Sequence, residues 1–406
     1  MKRSILPYKL ERFDVDGVAR FMVTHRTSFA TPITLSFYEA SLSSRIDRRK
    51  GTVGTELQHL LFIYGWAEYS GFDLESKLLN GHGLHLYDIQ MLGNWLESRR
   101  YKGCGLQSTY LNQIIISCRR LVLWYVRRSV KALADEPLPI TIGRVVKAHK
   151  DVWEEFFFKG NDRGEGLVAP DITDIEYLRV NFLLGSGSDH SLMSGMDLRN
   201  FIMWRLAWEF GLRIGEILAL RLEDLCEKDG YSYIGIVRLN HRDEGEIDPR
   251  VPYEPKVKTR SRELGYLDRE SEIPKLIDIY LREHRFAEIQ VNGVLTKTPF
   301  LAHNFLFIAH DSSGRPLSCS GAQKIAQKIS ISTGIHMNWH LIRHAFFNRR
   351  YDDAMAHENK ESHLNDLVYF GGWKNHASLK SYVGRAIRDR SIRGLRAYHK
   401  NDVDEV

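Results

Sequence analysis

The alternation of apolar and polar positions divides the chain into two helical regions with a break between them. "TELQHLLFIYGWAEYSG", "LYDIQMLGNWLESRRYKG" and "TYLNQIIISCRRLVLWYVRRSVKAL" each carry apolar residues at helical spacing, and two of them close on glycine-containing turns. Residues 46–133 therefore read as a small all-helical domain. Residues 1–45 mix short apolar runs with Ser and Thr without a clear period, and form an N-terminal extension of unknown fold. "ADEPLPITIG" breaks the last of these helices at two prolines, and "FKGNDRGEGLVAPD" adds glycine, charge and another proline, which places an interdomain linker in 134–169.

A second domain fills 170–406. A helix is predicted at "DITDIEYLRVNFL", and an apolar helix follows that ends at Phe210, where Gly211 permits a left-handed turn. A short helix starts near Gly215. Short strands in "YSYIGIVRLN" and "SRELGYLD" flank "EPKVKTR", with Lys256 and Lys258 sharing a strand face. From "SEIPKLIDIYLREHRF" onward the chain reads as helical. The fold class is thus mainly α with a small antiparallel β-sheet, an all-helical domain preceding a mixed α+β one.

Three placements of charge bear on chemistry. In "WHLIRHAFFNRRY", at ~100° per residue, His340, Arg343 and His344 share one face while Leu341, Ile342, Ala345 and Phe346 take the other. One side packs and the other presents cations. Arg213 sits in the bend between two apolar helices, where burial is costly without a partner, and Glu216 three residues on is placed to orient it. Arg119 and Arg120 recur as Arg127 and Arg128, a basic stripe turned away from Ile114, Leu121 and Val122 that suits either solvent or phosphates.

Composition narrows the classes. The 406 residues are 43% hydrophobic and 27% charged, which is a globular rather than a disordered balance. Lys plus Arg outnumber Asp plus Glu by 57 to 51, giving a formal charge of +6, so a polyanionic partner is favoured, nucleic acid first. Four scattered cysteines without a CxxC pair argue against a zinc module and a disulfide framework, and fit a reducing, cytoplasmic setting. Neither a secretory leader nor an apolar run approaching ~18 residues is read, so no membrane partner is expected. No GxxxxGK[ST] loop occurs. "DEGEID" reads as a solvated turn, and His357, His363 and His376 lack metal-ligand spacing, so neither a metal nor a cofactor is expected.

Taken in order, "GLRIGEILALRLEDL", "KVKTRSREL", "HLIRH" and "GGWKNHASLKSY" resemble the tyrosine recombinase, or phage integrase, family over roughly residues 170–390. The family's GLRxxEllxLxxxDi box, its KT-type hairpin lysine, HxLRH, and a tyrosine nine residues past a G-H/W segment all have counterparts, the last as Trp373 and Tyr382. Two departures stand out: Trp373 replaces the more frequent histidine, and the segment with "DDAMAHENKESHLNDL" is longer than usual. The resemblance implies a core-site DNA-binding domain followed by a tyrosine-recombinase catalytic domain.

The roles follow from cutting a phosphodiester with a nucleophile, cations and an acid. Tyr382 is the candidate nucleophile. Arg213 and Arg343 grip the phosphate in forked geometry, which suits guanidinium better than ammonium. His340 takes the phenolic proton or holds the phosphate, and Trp373 donates its indole N–H. By resemblance Lys258 is the general acid, with Lys256 as the second choice, while Glu216 and His344 support the site. Tyr369, in the apolar "LVYF", is assigned to the core, and Tyr398 lies in the cationic tail.

The expected activity is site-specific recombination of double-stranded DNA through a 3′-phosphotyrosyl link, in the service of a mobile element. A Xer-like dimer resolvase and a type IB topoisomerase are the rivals. The family implies a homotetramer on two DNA sites, a C-terminal tail exchanged between protomers, and accessory DNA-bending or directionality proteins.

Overall fold

The computed structural model describes residues 6–16, 18–44, 50–101, 104–133, 139–158, 172–185, 187–228, 231–238, 241–242, 248–251, 253–257, 259–265, 271–298, 301–311 and 314–401. The chain divides into two compact units, Met1–Gly166 and Leu167–Val406.

The first unit opens with an antiparallel hairpin, β1 (Tyr8–Val15) and β2 (Val18–His25), in which Tyr8 pairs with His25. Helices α1 (Ile33–Ser43), α2 (Lys50–Ser70), α3 (Leu74–Leu79) and α4 (Leu86–Ser98) follow. A two-residue pairing of β3 (Arg100–Tyr101) with β4 (Cys104–Gly105) leads into α5 (Ser108–Leu133) and α6 (Pro139–Glu154). Residues 1–45, expected as an N-terminal extension of unknown fold, supply the hairpin and α1, and their Phe21, Val23, Leu35, Tyr38 and Leu42 are buried in the same core as Leu57, Leu60, Ile114 and Leu121. The unit is therefore helical with a leading hairpin. Part of the stretch expected as linker is also helix, since Pro139 takes the first position of α6, where its missing N–H costs nothing. Trp153 of α6 is fully buried in the unit's core.

The second unit starts with α7 (Asp174–Leu183), capped by Thr173 and Glu176 in a reciprocal capping box, and α8 (Gly195–Phe210). Ten residues of α8 are buried, from Leu198 to Phe210, so the helix is wrapped by protein on nearly every side. Gly211 ends it in the left-handed region at φ 60°, and α9 (Ile214–Ala219) turns away. A three-stranded antiparallel sheet follows, β5 (Leu225–Lys228), β6 (Tyr231–Ile236) and β7 (Arg262–Gly265), with β6 central and Ile236 opposite Arg262.

Beyond α10 (Ile273–Glu283), a second hairpin, β8 (Ala287–Val291) and β9 (Val294–Thr298), interrupts what the sequence reading took as continuous helix. The cause is local: Asn292 (φ 51°) and Gly293 (φ 82°) both take positive φ, the conformation a two-residue hairpin link needs. The unit closes with α11 (Cys319–Thr333), α12 (Trp339–Ala356), α13 (Lys360–Gly371), α14 (Ala377–Lys380) and α15 (Gly384–Asn401). The long segment between Arg343 and Trp373 is thus the second half of α12 plus α13. Among the described residues no helix is long and apolar enough to cross a membrane.

Candidate active site

Asn338 caps α12, its side chain accepting from the N–H groups of His340 and Leu341 at 3.0 Å each. That fixes the first turn, and Leu341, Ile342, Ala345 and Phe346 bury as the helical period requires. The polar face is only partly open to solvent. Arg343 is completely buried, whereas His340 is exposed and His344 half-buried. A guanidinium in such a place must be paired.

Its partners come from three directions. Arg343 donates from Nη1 to the Gly211 carbonyl and from Nη2 to the Gly371 carbonyl at 3.0 Å, and Nη1 stands 3.8 Å from Glu216 Oε2. The same Gly371 carbonyl accepts from Arg213 Nη1 at 3.4 Å, so one oxygen at the end of α13 faces both guanidiniums. Arg213 caps α9, and its own N–H donates to Glu216 Oε2 at 2.8 Å. The Glu216 carboxylate is buried and reaches Arg213, Arg343, Arg262 and Thr259. Burial alone would raise its pKa, but the charges of Arg262 and Arg343, with hydrogen bonds from Thr259 and the Arg213 N–H, hold it down at about 2.

Tyr382 lies in the short link between α14 and α15, and its ring belongs to a small aromatic cluster with Phe347 and Trp373. The phenol oxygen accepts from Arg213 Nη2 at 3.3 Å. The Arg343 guanidinium lies 5.1 Å from the ring centre, Trp373 packs at 4.9 Å, His344 stacks at 4.7 Å and His340 meets the ring edge-on at 5.3 Å. Partial burial, followed by the charges of His344, Arg343 and Arg213, lowers the His340 pKa to about 4, so its ring is neutral near pH 7 and able to accept a proton. Arg343 is lowered to about 10 by burial and remains a cation. A phenol, two guanidiniums and a neutral imidazole on one centre suit nucleophilic attack at an anionic group.

The structure of the transposon Tn1549 integrase (residues 82–397) in complex with circular intermediate DNA is similar over 87% of this chain and 98% of that one, with 14% identity and a TM-score of 0.50. The chain has the integrase fold. The XerH recombinase bound to a palindromic difH substrate is similar over 90% of this chain and 94% of that one, with 12% identity and a TM-score of 0.46. Transposase A from transposon Tn554 of Staphylococcus aureus is 24% identical over 202 residues, 46% of this chain and 48% of that protein. The chain thus spans about half the length of the curated relatives it matches. No protein-family model matches it.

Within this fold the remaining expected residues are placed as follows. Lys258 lies outside the described residues. Lys256 is half-buried in irregular backbone rather than on a strand, and its carbonyl would stand 2.6 Å from a Cβ on Gly215, so only glycine lets this segment lie directly on α9. The four α5 arginines lie in the first unit. Arg119 meets Glu154 at 3.4 Å and Arg120 meets Glu56 at 3.6 Å, while Arg127 and Arg128 are exposed; Arg119, Arg120 and Arg127 line one groove with Lys150. Tyr369 is not core: it is 53% exposed and its hydroxyl donates to the Glu263 carbonyl at 2.9 Å. Asp248, at the end of the expected solvated turn, is buried and paired with Arg250 at 2.8 Å.

Sequence reading passed over Thr259 and Arg262, both buried beside Glu216. A signal existed. Arg262 and Leu264 alternate along β7 and face the same way, inward.

Proposed function

We propose that the chain is a site-specific DNA recombinase that cuts and rejoins duplex DNA through a covalent 3′-phosphotyrosyl intermediate, moving a mobile element in or out of its host DNA. The observation that carries this reading is the Tyr382 hydroxyl within hydrogen-bond reach of Arg213, its ring set among Arg343, His340 and Trp373 in one chain. The similarity to a transposon integrase held on circular intermediate DNA, and to a transposase, supports the same use.

In this reading Arg213 and Arg343 neutralise the nonbridging oxygens of the scissile phosphate while Tyr382 Oη bonds to phosphorus and gives its proton to His340. The 5′ oxygen leaves, taking a proton from Lys258. Trp373 packs the aromatic side. A 5′ hydroxyl from the partner strand then displaces Tyr382 by the reverse path, so the ester conserves the bond energy and no nucleotide hydrolysis is required. The exposed cations of the first unit would add contacts to the DNA backbone. Four copies on two sites, with α15 exchanged between them, complete the assembly, aided by DNA-bending or directionality proteins.

The test is covalent capture. The full chain is incubated in EDTA with a pool of nicked duplexes of randomised sequence, denatured, and the protein-linked DNA is recovered and read. A recovered consensus linked through Tyr382 supports the reading. No protein-linked DNA, or adducts unaffected by Tyr382→Phe, overturns it.

A further inference from the structure

Asn348 stands at the far end of the row of polar residues that α12 turns toward Tyr382. His340, His344 and Asn348 recur every fourth residue and so share one face of the helix. The His340 ring meets the Tyr382 ring edge-on, the His344 ring stacks on it, and His344 Nδ1 lies 3.4 Å from the Tyr382 carbonyl oxygen. One turn further on, Asn348 Oδ1 accepts from the Ala386 N–H at 3.0 Å. Asn348 is 2% exposed and Ala386 1%. The chain from Tyr382 into α15 therefore runs along α12 and is met at successive turns.

The Asn348 bond stands in for a cap that α15 lacks. The Ile387 N–H donates to the Val383 carbonyl at 3.0 Å, which makes Val383 the residue flanking the helix N-terminus. The N–H groups of Gly384, Arg385 and Ala386 precede that first intrahelical bond and need acceptors from elsewhere. A Ser, Thr, Asn or Asp at 383 would serve the third of them, but a valine side chain carries no oxygen. Asn348 brings the oxygen from another helix, to a place that water does not reach.

We propose that Asn348 is a positioning residue for the nucleophile: by capping α15 from α12 it seats the first turn of that helix, and so fixes where the Tyr382 hydroxyl stands against Arg213 and Arg343. The inference rests on the function proposed above. What is left without Asn348 makes the effect selective. The Tyr382 N–H still donates to the Leu379 carbonyl at 2.8 Å, which ties the link to α14, and the 3.4 Å contact with His344 is longer than an ordinary hydrogen bond. Val383 and Ala386 keep apolar contacts that permit sliding. The Ala386 N–H, buried and without its acceptor, is relieved when the first turn shifts off α12 and reaches water. The outer side of α15 does not oppose that shift, since Arg388 and residues 391–394 are exposed. Arg213 and Arg343 are anchored instead on Gly211, Gly371 and Glu216, so the phosphate clamp keeps its geometry while the phenol moves.

The experiment uses the full-length protein and the duplex identified by covalent capture. Single-turnover adduct formation at saturating duplex, gel-shift affinity and melting temperature are measured for the wild type, Asn348→Ala, Asn348→Leu and Asn348→Asp. Each protein is also made with 3-fluorotyrosine in place of Tyr382, and its fluorine resonance is recorded without DNA. Asn348→Ala is expected to slow the adduct step by about 10- to 100-fold, the loss that a reacting atom misplaced by about 1 Å brings, with affinity within about twofold of wild type. Its resonance should move toward that of a solvent-exposed fluorotyrosine. Asn348→Leu keeps much of the volume and removes the acceptor, so the same two changes there exclude a cavity as their cause and hold the test open if the alanine protein does not fold. Asn348→Asp keeps an acceptor oxygen whether or not it carries a proton, and should stay within about threefold of wild type in rate, with the wild-type resonance. A near-normal rate in both Asn348→Ala and Asn348→Leu, or a slowed rate with an unmoved resonance, overturns the proposal. The DNA-free resonance keeps the two readings apart: absence of any adduct in the wild type strikes the function, while the resonance still reports whether Asn348 holds the tyrosine.

Discussion

The second unit's central arginines and those on α5 are the same residue type under opposite conditions. Arg343 is completely buried and held by two carbonyls and a carboxylate from separate elements. Arg120 keeps 52% of its side chain exposed beside one carboxylate, and Arg128 lies over the Trp124 ring at 4.4 Å. The difference separates two uses of positive charge. In the proposed reading, a guanidinium that serves one phosphorus atom is fixed before the ligand arrives, so that no reorganisation is left for the reaction. The α5 cations, in the same reading, would follow a polyanionic backbone by number, each replaceable at small cost.

This contrast can be broken at four points. Tyr382→Phe should reduce covalent adduct on the captured duplex below detection while gel-shift affinity stays within about twofold of wild type, since the hydroxyl is needed for chemistry alone. Arg343→Lys should slow adduct formation by about 10²- to 10³-fold, because an ammonium cannot span Gly211, Gly371 and a phosphate together. A near-normal rate would mean that the buried fork is a brace for the fold.

Glu216→Gln removes the charge shared by Arg213, Arg262 and Arg343, and should cost about 3–5 kcal/mol in urea unfolding of the second unit. The pH course sharpens the point. The Glu216 pKa falls from 4.5 to about 2 on folding, so its contribution is complete above 4.5 and is lost as pH falls through about 2. The Gln variant should lack that part of the acid limb. Smallest is Arg127→Ala, which should lower the slope of log affinity against log salt by about one and leave the cutting rate of the saturated complex unchanged. A large loss of cutting rate there would erase the distinction between the two regions.

Much of this was legible in the chain. Helical period located α8 and α12, and the order of the four boxes brought Arg213, His340, Arg343, Trp373 and Tyr382 forward as a set, which the structure gathers around one phenol. Burial was not legible. A helical wheel sets Arg343 beside His340, and only a distant carboxylate and two distant carbonyls explain why one is enclosed and the other open. The β8–β9 hairpin carried a local sign in Asn292–Gly293, overridden by the apolar residues around it. Arg262 needed the two-residue period of β7 to be applied to a charged residue, against the habit of placing charge outside.

The shared Gly371 carbonyl also bears on how such a chain can change in length. α12 and α13 meet at His357, Glu358 and Asn359, all exposed, whereas the end of α13 is pinned by guanidiniums and by the close approach of Gly372 to Thr259. An insertion ahead of Asn359, which caps α13, is expected to disturb the site less than one in the Gly371–Trp373 turn. The same asymmetry favours the exposed His357–Glu358 link over the Gly371–Trp373 turn as the place to graft an affinity peptide or fluorophore.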